Sequence, residues 1–167
     1  MPIFTVKKLN SRTDLSEFDC SLDYELDLNG FIHNEALGYQ RNKTGVTHLF
    51  YRNNKIVGFV TLAMGSIRKN SINVKFADYE KVNIPALFLG RLAVDNSERG
   101  KDIGVYLLEY CFGYATRLAK NELGCRFITL VTKKGKRTAF YSKHGFKKAK
   151  ASLANDLEMM YFDLNED

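Results

Sequence analysis

From Ile84 the chain reads Pro85-Ala86-Leu87-Phe88-Leu89-Gly90-Arg91-Leu92-Ala93-Val94-Asp95. This is too continuously apolar for a half-exposed strand, so a central, buried strand is expected. It runs into Asn96-Ser97-Glu98-Arg99-Gly100-Lys101-Asp102-Ile103-Gly104, a loop with two glycines. Beyond the loop, Ile103, Leu107, Leu108, Cys111, Ala115, Leu118 and Ala119 fall on one face of a helix that ends at Gly124. A helix that opens straight after such a turn points unpaired backbone N–H groups, and the positive end of its dipole, at one small volume. That volume suits a phosphate. A plain connecting turn has the same outline, so other features have to decide between the two.

The flanking segments carry ordinary folding signals. Alternation from Ile3 to Leu9 suits a first strand. Ser11 or Thr13 can cap a helical stretch, and Leu15, Phe18, Leu22, Leu26 and Ile32 recur at helical spacing, with Gly30 as a break between two short helices. Val46–Tyr51 and Ile56–Met64 flank Arg52-Asn53-Asn54-Lys55, a hairpin signal, because asparagine readily adopts positive φ. Ser66–Val82 is polar and irregular, a surface excursion suited to facing a substrate, with room for a short helix at Asp78–Lys81. Cys125–Val131 reads as a further buried strand, and Gly135–His144 as a short helix stopped by Gly145. Phe146 and Glu158–Leu164 supply closing strands.

A length of 167 residues at 45% apolar and 26% charged fits one soluble globular domain, residues 1–167. No apolar run approaches the roughly 18 to 20 residues that span a bilayer, and Met1-Pro2-Ile3-Phe4 carries no signal-peptide pattern. A cytoplasmic, unprocessed protein without membrane partners is expected. Cys20, Cys111 and Cys125 are odd in number and far apart, so buried thiols are expected rather than disulfides or a metal site.

The net charge of +6 is unevenly spread. From Arg126 to Asn155 there are nine Lys or Arg residues and no Asp or Glu, which leaves 16 basic against 19 acidic residues elsewhere. The segment holds Lys133, Lys134, Lys136, Arg137, Lys143, Lys147, Lys148 and Lys150. Concentrated charge of this kind steers a polyanion, although a solvated basic face has the same composition.

Arg99-Gly100-Lys101-Asp102-Ile103-Gly104 resembles the Arg/Gln-x-x-Gly-x-Gly/Ala signature of the GCN5-related N-acetyltransferase (GNAT) superfamily, which grips the pyrophosphate of coenzyme A. Phe140-Tyr141-Ser142-Lys143-His144-Gly145-Phe146 is similar to the family's later Phe-Tyr-x-x-x-Gly-Phe pattern. Leu89-Gly90-Arg91-Leu92-Ala93-Val94-Asp95 resembles the strand motif of one branch, the acetyltransferase toxins of bacterial toxin–antitoxin modules. Asp14–Cys20, Leu26-Asp27, Ile56–Phe59 and Leu62–Ser66 extend that likeness over most of the chain. One departure stands out: the family's first loop glycine is Asp102 here, a carboxylate beside an anion site unless it turns away to cap the helix.

The resemblance implies an α/β (α+β layered) fold, a single domain whose mixed, mostly antiparallel central sheet is flanked by helices. It also implies direct transfer of acetyl from acetyl-CoA to a primary amine, without a metal. Leu92, Ala93 and Val94 would present backbone groups to the pantetheine arm. Arg99, Gly100, Lys101, Asp102, Ile103 and Gly104 would hold the pyrophosphate, and Tyr141 would protonate the leaving thiolate. No base is marked: His33, His48 and His144 are the only imidazoles, and neither Glu80 nor Glu98 stands at a telling spacing. In the toxin branch the acceptor is the α-amine of an aminoacyl-tRNA, for which Lys133, Lys134, Lys136, Arg137 and Lys143 are the candidate nucleic-acid contacts. An antitoxin and a homodimer accompany that reading. A small-molecule or protein N-acetyltransferase, and a catalytically weak module that binds coenzyme A or nucleic acid, fit the same residues.

Overall fold

The computed structural model describes residues 3–166; Met1 and Pro2, which enter the reading of the unprocessed start, lie outside the described residues. The strands are β1 (Thr5–Lys8), β2 (Val46–Arg52), β3 (Lys55–Arg68), β4 (Asn83–Val94), β5 (Phe127–Lys133), β6 (Lys147–Lys148) and β7 (Leu157–Asp163). The helices are α1 (Leu28–Gly30), α2 (Ala36–Arg41), α3 (Ile103–Asn121) and α4 (Lys136–Lys143). The strands form one seven-stranded sheet in the order β1-β2-β3-β4-β5-β7-β6. It is mixed and mostly antiparallel: β4 and β5 run parallel, Ala86 to Phe88 opposite Phe127 to Thr129, while β1–β2, β2–β3, β5–β7 and β6–β7 are antiparallel. This is the α/β class implied by the resemblance.

Contacts group the residues into two compact units, Met1–Ala63 with Leu89–Cys111, and Met64–Phe88 with Phe112–Asp167. The first is organised by the β2–β3 hairpin. Asn53 (φ 50) and Asn54 (φ 61) both take the left-handed conformation that a two-residue turn requires, and Arg52 pairs with Lys55 across it. Leu49 and Phe59 then join Leu9, Phe18, Leu28, Phe31 and Ile32 in one core, each large side chain contributing about 1.5–3 kcal/mol of burial. Gly58 lets α3 and β4 come close: a Cβ there would sit 2.8 Å from the Ala93 carbonyl oxygen and 2.9 Å from a Leu107 methyl.

Two expectations fail in this unit. Residues 14–27 form turns instead of helices, because short polar side chains capture the backbone N–H groups a helix would use. Asp14 accepts from Ser16 N at 2.9 Å, Asp19 from Ser21 N at 2.8 Å and Asn29 from Cys20 N at 3.0 Å. Leu22, part of the expected apolar face, is 63% exposed. Gly30 is also not a break. It is helical (φ −60), and the helix runs on from α1 through a π-helical segment, Phe31–Glu35, into α2. The glycine leaves room for the Asp27 carboxylate, which accepts from Gly30 N and would have to shift to admit a Cβ.

The second unit packs Ile67, Ile72, Ile84, Ala86, Phe127 and Tyr161 together. The expected loop after Ser66 starts later, since β3 continues to Arg68, and no helix forms at Asp78–Lys81. Asp78 is left-handed (φ 57), and before it Ile72, Val74 and Phe76 pack onto the core. On α3 the predicted apolar positions are buried except Ala119, which is exposed.

Candidate active site

At the end of β4, Ala93 is buried in the first unit's core while Leu92 and Val94 are half-buried. The loop that follows is held by its flanks, because the backbone N–H groups of residues 99–102 donate to no protein acceptor among the described residues. Gly100 (φ 75) and Asp102 (φ 58) are left-handed at alternate positions, which turns successive N–H groups inward as in an anion-binding nest. Val105 N and Tyr106 N turn back to the Asp102 carbonyl oxygen at 3.0 and 3.4 Å, so α3 opens here with the N–H groups of Ile103 and Gly104 unused. Arg99 and Lys101 are exposed beside them. The arrangement fits a diphosphate: free N–H donors, the positive end of a 19-residue helix and two cations.

Asp102 does not behave as a side-chain cap. Its carboxylate is exposed and makes no hydrogen bond among the described residues, and its carbonyl does the capping instead. The positive φ shows why glycine suits this position, and Asp is among the residues that tolerate it.

Tyr141 is carried in the other unit by α4. Gly135 (φ 107) opens the helix and shares two hydrogen bonds with Thr138. Gly145 (φ 88) stops it as expected, with His144 N and Phe146 N donating to the Tyr141 carbonyl oxygen. The Tyr141 side chain is 6% exposed and lies edge-on to Phe140 and Phe146, ring centroids 5.2 and 5.5 Å away. This wall fixes the ring.

The histidines are occupied elsewhere. His33 Nε2 meets the Phe18 carbonyl oxygen at 3.0 Å, and His144 leans on Phe140. His48 is buried with Nδ1 2.8 Å from Tyr110 Oη, a pair that sequence reasoning does not find, since its two members are 62 residues apart. Cys20 and Cys111 are buried and Cys125 is half-buried. Burial pushes the Cys20 and Cys111 thiols up to about 12, with Asp23, Asp19 and Asp95 adding to the effect at Cys20, and burial also raises Cys125. None of the three is a nucleophile at neutral pH. Among the described residues no group of three or more His, Cys, Asp or Glu gathers to hold a metal ion.

The basic segment divides by partner. Arg126 is bound to Asp163, Lys147 to Glu166, Lys148 to Glu158 at 3.4 Å, and Lys133 Nζ donates to the Asn155 carbonyl at 2.8 Å. Lys134, Lys136, Lys143 and Lys150 are exposed and make no salt bridge among the described residues. Arg137 is half-buried.

A family model for the acetyltransferase (GNAT) domain matches residues 43–148, which include the loop, α3 and α4. The chain belongs to the GNAT acetyltransferase family. It is an N-acetyltransferase of the GNAT type, and the family's acetyl donor is acetyl-CoA. A tRNA-acetylating toxin of Mycobacterium tuberculosis is 25% identical to this GNAT protein over 140 residues, 84% of this chain and 82% of the relative. The fold is shared with AtaT complexed with acetyl-methionyl-tRNAfMet, with a TM-score of 0.81 at 24% identity, covering 96% of this chain and 95% of that one. It is shared as well with a tyrosine-to-phenylalanine mutant of the toxin AtaT bound to the C-terminus of the antitoxin AtaR and acetyl-CoA. There the TM-score is 0.73 at 23% identity, over 97% of this chain and 94% of that one. No helix among the described residues is long and apolar enough to cross a membrane.

Proposed function

We propose that this chain transfers acetyl from acetyl-CoA to the α-amine of an aminoacyl-tRNA, and so acts as a translation-blocking toxin of the cytoplasm. The observation that carries the reading is the likeness to a tRNA-acetylating toxin along 84% of the chain. The exposed lysines of the basic segment support it. An antitoxin and a homodimer belong to the same reading, as does one catalytic domain over residues 1–167, since β3 and β4 each run through both compact units.

In this reading the N–H groups of residues 99–104, with Arg99 and Lys101, bind the coenzyme's pyrophosphate. Asp102 weakens that site by like-charge repulsion. Backbone groups of Leu92, Ala93 and Val94 align the pantetheine arm as an added strand, and an N–H there stabilises charge developing on the carbonyl oxygen. Bound acetyl-CoA supplies an activated thioester. Tyr141 Oη holds the proton that the departing sulfur takes, since a phenol O–H is a hydrogen-bond donor able to give up its proton as the thiolate leaves. An esterified α-amine needs less help from a base than a lysine amine at about 10.4, which accords with the absence of a marked base. Lys133, Lys134, Lys136, Arg137 and Lys143 are the phosphate contacts of the tRNA, and Lys150 joins them as an exposed cation without a salt bridge among the described residues.

The test is acetyl transfer from radiolabelled acetyl-CoA to bulk aminoacyl-tRNA, beside a panel of polyamines and peptides. Label in tRNA that falls steeply with salt and vanishes in Tyr141→Phe is expected. Label only in amines or peptides overturns the tRNA reading and makes the basic segment a solvated face.

A further inference from the structure

The loop before α3 contains two buried carboxylates, Asp95 and Glu98, immediately ahead of a site for a polyanion. On charge alone they are misplaced, since like charges nearby weaken anion binding. Their partners account for them. Asp95 Oδ1 accepts from Ser97 N at 2.9 Å and Ser97 Oγ at 2.6 Å, and Oδ2 accepts from Asp19 N at 3.1 Å. Lys55 Nζ lies 3.7 Å from Oδ1 and donates to Ser97 Oγ at 2.9 Å. Burial pushes the Asp95 carboxyl up, but these hydrogen bonds and Lys55 outweigh it and hold the group below the ordinary carboxylate range. Glu98 Oε2 accepts from Arg52 Nη2 and from Lys101 Nζ, the latter at 3.3 Å.

Arg52 and Lys55 are the two residues that close the Asn53-Asn54 turn, and they pair with each other in the β2–β3 register. Both carboxylates are therefore tied to one hairpin tip. Among the described residues the backbone N–H groups of the next four residues, 99–102, find no protein acceptor to fix their alternating left-handed conformations, and the Asp102 carbonyl is engaged only by Val105 N and Tyr106 N of α3. Their shape is imposed from the two ends, by α3 on one side and by Asp95 and Glu98 on the other.

We propose that Asp95 and Glu98 are positioning residues, a carboxylate clamp through which the β2–β3 turn sets the geometry of the coenzyme loop and hence its affinity for the pyrophosphate. This rests on the reading that residues 99–104 hold the coenzyme. It inverts the simple electrostatic expectation. Removing the negative charge of Glu98 weakens binding of a polyanion, because Arg52 and Lys101 lose their shared anchor and the loop loses its fixed entry.

The experiment is calorimetric binding of coenzyme A and steady-state kinetics for Glu98→Gln, Lys55→Gln, Arg99→Ala and the charge swap Arg52→Glu with Glu98→Arg, each checked by thermal unfolding. For Glu98→Gln, Kd for coenzyme A and KM for acetyl-CoA rise about tenfold, the loss of roughly one charged hydrogen bond. kcat at saturating acetyl-CoA and KM for the acceptor stay put, and the swap recovers most of the loss. Lys55→Gln moves the same two constants in the same direction by acting on Asp95. A merely structural role would lower the melting temperature without this split. Unchanged or tighter binding in Glu98→Gln, with Arg99→Ala weakened, overturns the clamp alone. Unchanged binding in Arg99→Ala overturns the coenzyme reading of the loop and the clamp with it.

Discussion

Arg126 grips Asp163 through two hydrogen bonds, Nε to Oδ1 at 2.7 Å and Nη2 to Oδ2 at 2.9 Å. Asp163 is 4% exposed. Burial alone would push its carboxyl up; the Arg126 hydrogen bonds, the Asn165 N–H and the charges of Arg126 and Lys147 win and hold it below the ordinary range. A depressed folded-state value contributes stability that is present above about pH 4 and is lost as the pH falls through the depressed value. Arg126→Ala is therefore expected to cost about 3 kcal/mol at pH 7, because it strands a buried charge. The gap to the unsubstituted protein narrows as the pH drops below about 4. Urea denaturation at pH 7 and pH 3 checks both statements, and an equal gap at the two values would sink the assignment.

The same pair removes Arg126 from the candidates for phosphate binding, and it gives the basic segment an internal control. Charge reversal of Lys134, Lys136, Lys143 or Lys150 is expected to weaken tRNA binding and to lower the slope of log K against log salt by roughly 0.7–0.9 for each phosphate no longer neutralised. Lys147→Gln leaves the slope unchanged, since its ammonium is engaged by both oxygens of Glu166. Filter binding across a salt series distinguishes the two groups; equal effects from both would show a diffuse field instead of specific phosphate pairing.

For Tyr141→Phe the expected result is a loss in kcat of about 10²–10³ with KM for acetyl-CoA nearly unchanged, the pattern of a group that acts only as the bond breaks. The ring is buried edge-on to Phe140 and Phe146, and phenylalanine occupies the same volume between them. Steady-state kinetics decides it. Full activity would reduce Tyr141 to a core aromatic.

What can be read from the sequence divides by the range of the interaction that enforces it. The Ile84–Asp95 strand, the Ile103 helix, the Asn53-Asn54 turn and the Gly145 stop depend on neighbours a few residues away, and all four are where the pattern puts them. Residues 14–27 mislead because Leu15, Phe18, Leu22 and Leu26 keep helical spacing while Asp14 and Asp19 pull the backbone into turns. Spacing does not register that competition. The helix expected at Asp78–Lys81 fails at its first residue, where Asp78 takes the left-handed conformation (φ 57). Asp95 and Glu98 are invisible as positioning groups because their cations, Lys55 and Arg52, lie 40 and 46 residues earlier in the chain. Nothing local marks them.

Asp102 allows charge and backbone to be separated at one position. Its φ of 58 is strained for most residues, and its carboxylate is exposed, with no hydrogen bond among the described residues to hold it away from the anion site. Glycine removes both handicaps, so Asp102→Gly is expected to tighten coenzyme A binding by a factor of about three to ten, more at low salt than at high. Asparagine removes the charge but keeps a residue that tolerates the left-handed region, whereas alanine removes the charge and keeps the strain. If repulsion dominates, Asp102→Asn gains nearly as much as Asp102→Gly. If the backbone dominates, only glycine gains, and alanine binds no better than the native residue. Weaker or unchanged binding in Asp102→Gly, read by calorimetry, would mean that the carboxylate faces away from the phosphates and that this departure from the family's pattern carries no cost.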